Sequence, residues 1–183
     1  MTDTAQVLSR IIADRCSYRG AYLDTPIPRE HLRAIMQAGL DAPSGCNMQT
    51  TSLIAVDDAE KIAAIRACFA RPIAAGAPAF ICVLTQEMPS YKDKSYHVQD
   101  YSAAIENMLL MIKALGYDSC WYEGYMTDAD AVGEKIAALL DVPPTHQLVC
   151  LLPVGIAAEE RKRVRKKDFA ERAWFNGFWE IDI

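Results

Sequence analysis

The sequence lacks the features that mark several classes of protein. Among its 183 residues there is no run of about 18 apolar residues, so no membrane-spanning helix is predicted. The N-terminus has neither a basic start nor an apolar core, so no signal peptide is predicted and we expect a cytoplasmic protein. Repeats, low-complexity stretches and linkers are also absent. Together with the length, this predicts one domain over residues 1–183.

Patterns typical of metal sites and of nucleophile–base pairs are missing as well. The six cysteines are widely spaced and none forms a C-x-x-C pair, which argues against a zinc site and an iron–sulfur cluster. The three histidines lie far apart in different contexts, so no nucleophile–base pair is predicted. No G-x-G-x-x-G follows a predicted strand, which argues against a Rossmann-type nicotinamide site. The sequence therefore predicts no bound metal and no dedicated dinucleotide fold.

What the sequence does contain is an alternation of helix and strand patterns in a chain that is 51% apolar. Helices are predicted over residues 4–14, 29–40, 59–69, 100–115 and 128–140. Short apolar runs predict strands over residues 52–56, 79–84, 119–122 and 148–152. Strands this short and apolar are typical of a sheet buried between helices, in an α/β or α+β fold.

Start and stop signals support three of the helix boundaries. Pro28 suits the first position of the second helix. Gly116 is a natural stop for the fourth helix. Thr127 and Asp130 form a variant of the capping box at the start of the fifth.

Two segments carry side chains suited to a cofactor. Arg15, Ser17 and Arg19 alternate along residues 15–19, so on an extended segment they point the same way and suit a phosphate group. The alternative is that residues 15–19 form a solvated basic turn, which has the same composition. Asn47 and Gln49 follow a Pro-Ser-Gly turn, and their amides offer donors and acceptors to a planar heterocycle. A turn that caps itself is the alternative there.

These two segments resemble, in residues and in spacing, the nitroreductase family of FMN-dependent oxidoreductases. Residues 100–117 are similar to the family's long central helix, and residues 119–125 to its strand and flavin-facing Glu-Gly turn. Residues 152–155 and the basic stretch before Trp174 resemble its closing segment. The similarity extends over residues 9–179. It implies an α+β sandwich in which a small mixed sheet is flanked by helices.

The resemblance implies a set of FMN-binding residues, namely Arg15, Ser17, Arg19, Pro43, Ser44, Gly45, Asn47, Gln49, Arg165 and Lys167. One residue of the 15–19 segment would lie near the pyrimidine edge of the ring, and Arg165 with Lys167 would be the basic phosphate pair. Asn47 is the best candidate for the pyrimidine edge, with Gln49 second. The resemblance makes Glu123 and Gly124 the catalytic position, because a backbone N–H at this turn would face flavin N5.

An intertwined homodimer is also implied by the resemblance. Residues 43–45 would reach the flavin of the partner subunit, and the aromatic C-terminal segment 174–179 would wrap around the partner. The predicted helix over residues 100–115 supports this, because it carries more apolar residues than one helical stripe needs.

The implied reaction is ping-pong hydride transfer from NAD(P)H, docked transiently over the flavin, to a nitroaromatic or a quinone. A specialised flavin-dependent dehydrogenase or dehalogenase of the same family is the alternative, and the short segment 86–99 leaves the substrate open. A nucleic-acid-binding protein using the basic run 161–167 is an alternative of another class. With a net charge of −5, a local phosphate site explains that run more economically, and we expect no nucleic-acid partner.

Overall fold

Helices and short strands alternate along the chain in a computed structural model that describes residues 2–124, 126–127, 129–161 and 164–178. The helices are α1 (Asp3–Asp14), α2 (Arg29–Leu40), α3 (Ala59–Ala67), α4 (His97–Ala114) and α5 (Val132–Leu139). The strands are β1 (Tyr22–Leu23), β2 (Thr51–Val56), β3 (Ala79–Thr85), β4 (Gln147–Val154) and β5 (Ile156–Ala157). Short 3₁₀ helices cover Gly45–Asn47, Tyr91–Asp93 and Phe169–Glu171.

The central sheet has the strand order β2-β3-β4, and β1 pairs with β5 in a small second sheet. These strand pairs are all antiparallel, as in the register of Leu53 opposite Val83. The parallel pairing of the predicted mixed sheet is the isolated bridge between Ser17 and Ser119. Every residue of β3 is buried, which explains why this strand is a continuous apolar run in the sequence.

Two hydrophobic clusters lie on opposite faces of the sheet. Alternate residues of β3 divide between them, with Phe80 and Cys82 in one cluster and Ile81 and Val83 in the other. The first cluster includes residues of α3 and α5, and the second includes residues of α2 and α4. The predicted small sheet flanked by helices is therefore confirmed. None of the described helices is long and apolar enough to cross a membrane.

The predicted strand over residues 119–122 is wrong as a continuous strand. Within the described part of the chain, this segment pairs only through isolated bridges, from Ser119 to Ser17 and from Tyr122 to Leu151. Its apolar residues satisfied the strand pattern, but successive residues face different partners, so no ladder forms. The segment instead joins the end of α1 to the edge strand β4.

Of the predicted helix-end signals, Pro28 is the N-cap of α2 rather than its first helical residue, and Gly116 ends α4 as predicted. After α4, Gly116 has φ +85°, and the N–H of Tyr117 donates to the carbonyl of Ile112, a Schellman arrangement. The capping box predicted for the fifth helix is wrong. That helix begins at Val132 after Ala131, which has φ +49° and no side-chain cap, while residue 128 lies outside the described residues.

Candidate active site

The 15–19 segment leaves α1 in an extended conformation. Arg15 has φ −65° and ψ 125°. The segment is anchored by Tyr18, whose N–H donates to the carbonyl of Ser119 over 2.9 Å and whose side chain is buried. Since side chains alternate along an extended backbone, Ser17 and Arg19 flank the buried ring and are exposed. The segment thus presents a hydroxyl and a guanidinium outward from a fixed backbone.

Arg15 is oriented by α4. Its Nε lies 3.5 Å from Oε1 of Glu106, and its side chain is 22% exposed against 47% for the glutamate. A partly exposed ion pair contributes only about 0–1 kcal/mol to stability. Its main consequence is therefore to hold the guanidinium beside Ser17.

The same three side chains surround one buried thiol. Burial raises the pKa of Cys120, whereas the guanidinium of Arg19, the hydroxyl of Ser17 and the guanidinium of Arg15 lower it. Influences of this kind act over short distances. Independently, the Ser17–Ser119 bridge and the hydrogen bond from the N–H of Tyr18 to the carbonyl of Ser119 hold the 15–19 segment beside residue 119.

The turn after Tyr122 carries the predicted catalytic pair. The carboxylate of Glu123 accepts hydrogen bonds from the hydroxyl of Tyr101 over 2.9 Å and from Nε1 of Trp121 over 2.7 Å. Both oxygens are thereby engaged, so this side chain fixes the turn. Gly124 is exposed, and an added Cβ would meet nothing within 4 Å, so the space beside this backbone is open.

The pKa of Tyr101 is affected by the carboxylate of Glu123, to which its hydroxyl donates. Burial, the hydrogen bond to Glu123 and the charge of Glu123 together raise the pKa of Tyr101 to about 12. The phenol therefore stays protonated at neutral pH and remains a donor to Glu123.

The 43–49 loop is held by a buried carboxylate that the sequence did not single out. Asp100, in the first turn of α4, accepts from the N–H of Gly45 over 2.7 Å and from Oγ1 of Thr50 over 2.7 Å. Within the loop, the N–H of Gln49 donates to Oγ of Ser44 over 3.0 Å. The signal available in the sequence was only an acidic residue near a helix start, which is common.

Left-handed backbone conformations turn two amides of this loop outward. Asn47 has φ +56° and Gln49 has φ +50°, and both side chains are exposed. Pro43 is exposed and Ser44 is half-buried. Among the described residues, no hydrogen bond or ion pair joins residues 43–49 to residues 15–19. The predicted binding residues therefore form two groups that share no direct bond within one protomer.

A single helix organises the whole candidate site. Along α4, Asp100 holds the 43–49 loop, Tyr101 holds Glu123 and Glu106 holds Arg15. Sequence reasoning identified this helix from its apolar face. It missed these three polar contacts, because each depends on which residue of a distant segment lies opposite.

The basic run divides into different environments. Arg161 is committed to Asp118, with Nη1 3.3 Å from Oδ1, and Lys113 lies 3.4 Å from the same oxygen. Burial raises the pKa of that carboxyl group, while a backbone hydrogen bond lowers it. Arg165 and Lys167 are exposed, and among the described residues no hydrogen bond or ion pair joins them to residues 15–19. Residues 162–163 lie outside the described residues.

A cavity of about 390 Å³ adjoins the site. Its lining includes Arg19 and Tyr122, together with Arg71 and the apolar side chains of Ile73 and Val132. Arg71 was not predicted from the sequence, where it follows a helix as one more basic loop residue. Within the described ranges, no group of at least three His, Cys, Asp or Glu side chains could hold a metal ion.

Comparison with known proteins assigns the chain to a family. The nitroreductase family model matches residues 12–73 and 63–156. A protein from Archaeoglobus fulgidus named NADH dehydrogenase/NAD(P)H nitroreductase is 30% identical over 163 residues, covering 88% of each chain.

Solved structures show the same architecture. An FMN-dependent nitroreductase from Clostridium difficile R20291 is 27% identical with a TM-score of 0.77, over 92% of this chain and 98% of that one. A nitroreductase with bound FMN from Bacteroides fragilis is 26% identical with a TM-score of 0.71, over 92% and 97% of the two chains. With helices α2–α5 on the two faces of a small sheet in the described part of the chain, and with most of its length matched, the chain belongs to the nitroreductase family.

Proposed function

We propose that the protein is an FMN-dependent oxidoreductase that transfers hydride from NAD(P)H to an electron-poor acceptor such as a nitroaromatic or a quinone. The observation that carries this proposal is the Ser17–Ser119 bridge, which places the 15–19 segment, with its exposed Ser17 and Arg19, beside the segment that leads to the open turn at Gly124. The relative named NADH dehydrogenase/NAD(P)H nitroreductase and the FMN-dependent structural neighbour support it.

The residues present fit the chemistry of FMN. A phosphate needs cations and hydroxyl donors, and the exposed Ser17 and Arg19 beside Arg15 supply them. A pyrimidine edge needs both donors and acceptors, which the outward amides of Asn47 and Gln49 offer. The open space at Gly124 leaves room for a flat ring against the backbone.

Each residue then has a role in the proposed site. Arg15, Ser17 and Arg19 hold the phosphate and one edge of the ring, and Arg165 and Lys167 complete the phosphate site. Bound FMN supplies two-electron transfer at N5, taking hydride from NAD(P)H and passing it to the acceptor. The turn at Glu123 and Gly124 contributes a backbone N–H toward N5. Its geometry is fixed because Tyr101 and Trp121 hold the glutamate.

A homodimer completes the proposal. Helix α1 has no buried residue, although Val7, Leu8 and Ile12 lie on it and are 47%, 51% and 52% exposed. An amphipathic helix that buries nothing in its own chain is typical of an interface. In the dimer, Pro43, Ser44 and Gly45 would reach the partner's flavin. This accounts for the two separate groups of binding residues.

The test uses the purified protein. A band near about 450 nm would establish a bound flavin, and anaerobic addition of NADH or NADPH should bleach it. Adding a quinone afterwards should restore the band. Since one site serves both substrates in turn, initial rates should give parallel double-reciprocal lines. A colourless protein that binds no added FMN would overturn the proposal, and intersecting lines would overturn the ping-pong order.

The same assay separates the alternatives. Within the family, a specialised dehydrogenase or dehalogenase would keep the flavin but reject nitroaromatics and quinones as acceptors. A nucleic-acid-binding protein would lack the flavin, and its binding would fall steeply with salt. The family assignment favours the oxidoreductase, and Arg161 at one end of the basic run is already paired with Asp118.

A further inference from the structure

The 43–49 loop adopts a backbone that its own residues do not favour. Cys46, Asn47 and Gln49 have φ values of +51°, +56° and +50°, in the left-handed region. That region is unfavourable for residues other than glycine, although asparagine tolerates it better than most. Three such residues within four positions need an external support.

Asp100 supplies that support from both sides of the strained residues. Its Oδ1 accepts from the N–H of Gly45, just before Cys46, and its Oδ2 accepts from Oγ1 of Thr50, just after Gln49, each over 2.7 Å. Asp100 is 3% exposed and Thr50 is 2% exposed, so water does not compete for these bonds. Hydrogen bonds to a charged acceptor are the stronger kind.

The loop is also seated sterically on the start of α4. A Cβ at Gly45 would lie 2.6 Å from Cβ of Tyr96, so only glycine fits this close approach. The negative charge of Asp100 lies in the first turn of α4, where the helix dipole favours an anion. The carboxylate is thus stable where it stands and has a fixed position relative to the loop.

We propose that Asp100 is the positioning residue that fixes the 43–49 loop so that Asn47 and Gln49 present their amides to a flavin ring. The inference rests on the proposed function, since the ring is the ligand that the amides would meet. Asp100 itself does not touch the ligand in this proposal. It acts on the ring end of the cofactor, whereas the phosphate is assigned to residues 15–19 together with Arg165 and Lys167.

That division gives a test with two ligands. Asp100→Ala should weaken the binding of FMN and of riboflavin, which has no phosphate, by the same factor of about 10 or more. Arg165→Ala, at a residue assigned to the phosphate alone, should weaken FMN but leave riboflavin nearly unchanged. Asp57→Asn is the control, because Asp57 pairs with Arg29 and has no contact with the loop. Unchanged riboflavin affinity in Asp100→Ala would overturn the proposal.

Rescue by the conservative variant separates positioning from general stability. In Asp100→Asn, the amide oxygen accepts from Gly45 and the amide nitrogen donates to Oγ1 of Thr50, so most of the flavin affinity should return. Thr50→Val removes one bond only and serves if Asp100→Ala does not fold. The riboflavin affinity of Thr50→Val should fall several-fold, to a value between those of the wild type and Asp100→Ala.

Hydrogen exchange on the purified protein provides a readout without turnover. The amide of Gly45 should be protected in the wild type and in Asp100→Asn, and it should exchange at least about 10-fold faster in Asp100→Ala. Equal exchange of the Gly45 amide in all three proteins would contradict the proposal that Asp100 fixes the loop. If the wild type binds neither FMN nor riboflavin while this exchange pattern is found, the proposed function is wrong. The support of the 43–49 loop by Asp100 is then still confirmed.

Discussion

At the scale of single residues, the carboxylates of the site act as fixed acceptors. Asp100 and Glu123 each use both oxygens, and Asp118 lies between Lys113 and Arg161. A carboxylate whose lone pairs are occupied in this way is poorly placed to take a proton from a substrate. These residues hold backbone and cations in place, which agrees with chemistry carried by a cofactor.

Arg15 and Arg19 should each contribute to FMN affinity. A hydrogen bond to a charged group contributes about 1.5–3 kcal/mol, so Arg15→Ala or Arg19→Ala should weaken FMN binding by one to two orders of magnitude. Quenching of flavin fluorescence on titration measures the affinity. Arg33→Ala, an exposed arginine on α2, is the control and should bind FMN normally. Wild-type affinity in both site variants would remove these residues from the phosphate site.

Tyr101→Phe tests the support of the turn at Glu123 and Gly124, the proposed catalytic position. The change leaves Oε1 of Glu123 without its donor, so the free energy of unfolding should fall by about 1–2 kcal/mol at pH 7. The ordinary pKa of the phenol is 10.0, and in the folded protein it is raised to about 12. A raised pKa means that the folded state keeps a proton that the unfolded state loses. The stabilisation is therefore complete below pH 10 and is lost as the pH rises toward 12.

Urea unfolding between pH 7 and pH 11 measures this effect. The wild type should lose stability above pH 10 more steeply than Tyr101→Phe, because only the wild type carries the phenol that titrates. Tyr22 has a raised pKa as well, but it is present in both proteins and cancels in the comparison. Parallel pH profiles of the two proteins would show that the pKa of Tyr101 is not raised in the folded state.

At the scale of elements, α4 illustrates what the sequence can and cannot specify. Its apolar face and the stop at Gly116 follow from spacing and from one residue type, so the helix was predicted almost to its end. Its polar contacts were not predictable, because Tyr101 and Glu123 are 22 residues apart in the sequence and meet only in the folded chain. The predicted start of α5 was wrong for a related reason, since no local sequence pattern indicates that Ala131 adopts a left-handed conformation.

The candidate site shows the same division. Alternation around Tyr18 predicted that Ser17 and Arg19 point the same way, and the structure confirms their exposure. The amide chemistry of Asn47 and Gln49 also followed from residue type, but their outward orientation did not, because it depends on the left-handed backbone of the loop. Arg71 and Asp100 lacked any local signal, because a cavity wall and a buried clamp are properties of the folded chain.

The stop of α4 should depend on the backbone conformation of Gly116 alone. At φ +85°, a side chain is strained, yet an added Cβ would meet nothing within 4 Å. Gly116→Ala should therefore lower the free energy of unfolding by about 1 kcal/mol. Gly116→Asn should cost less, because asparagine tolerates positive φ. Urea denaturation measures the free energy of unfolding of both variants. An equal loss in the two would show that the cause is not the positive φ of residue 116.

At the scale of the whole molecule, apolar surface remains uncovered in a single protomer. The exposed groups are the apolar side chains of α1 and the aromatic rings of the C-terminal segment, where Phe169, Phe175 and Phe178 are 67%, 59% and 67% exposed. Residues 179–183 lie outside the described residues. Exposed apolar groups of this size at two places are unusual for a monomer. A second copy of the chain would cover both surfaces.

The last prediction is that the protein is an obligate homodimer in which dimerisation and FMN binding are lost together. An interface of more than about 2,000 Å² is expected for such a pair, and the loop 43–45 of one protomer would contribute to the flavin site of the other. Deleting residues 174–183, or changing Leu8 to Glu on the exposed face of α1, should give a monomer of about half the mass with little bound flavin. Leu139→Glu on α5 is the control and should remain dimeric, because this residue lies on neither surface. Light scattering and the flavin-to-protein absorbance ratio give the two readouts. A wild-type particle of 20.3 kDa that carries a full complement of flavin would show that one protomer is sufficient.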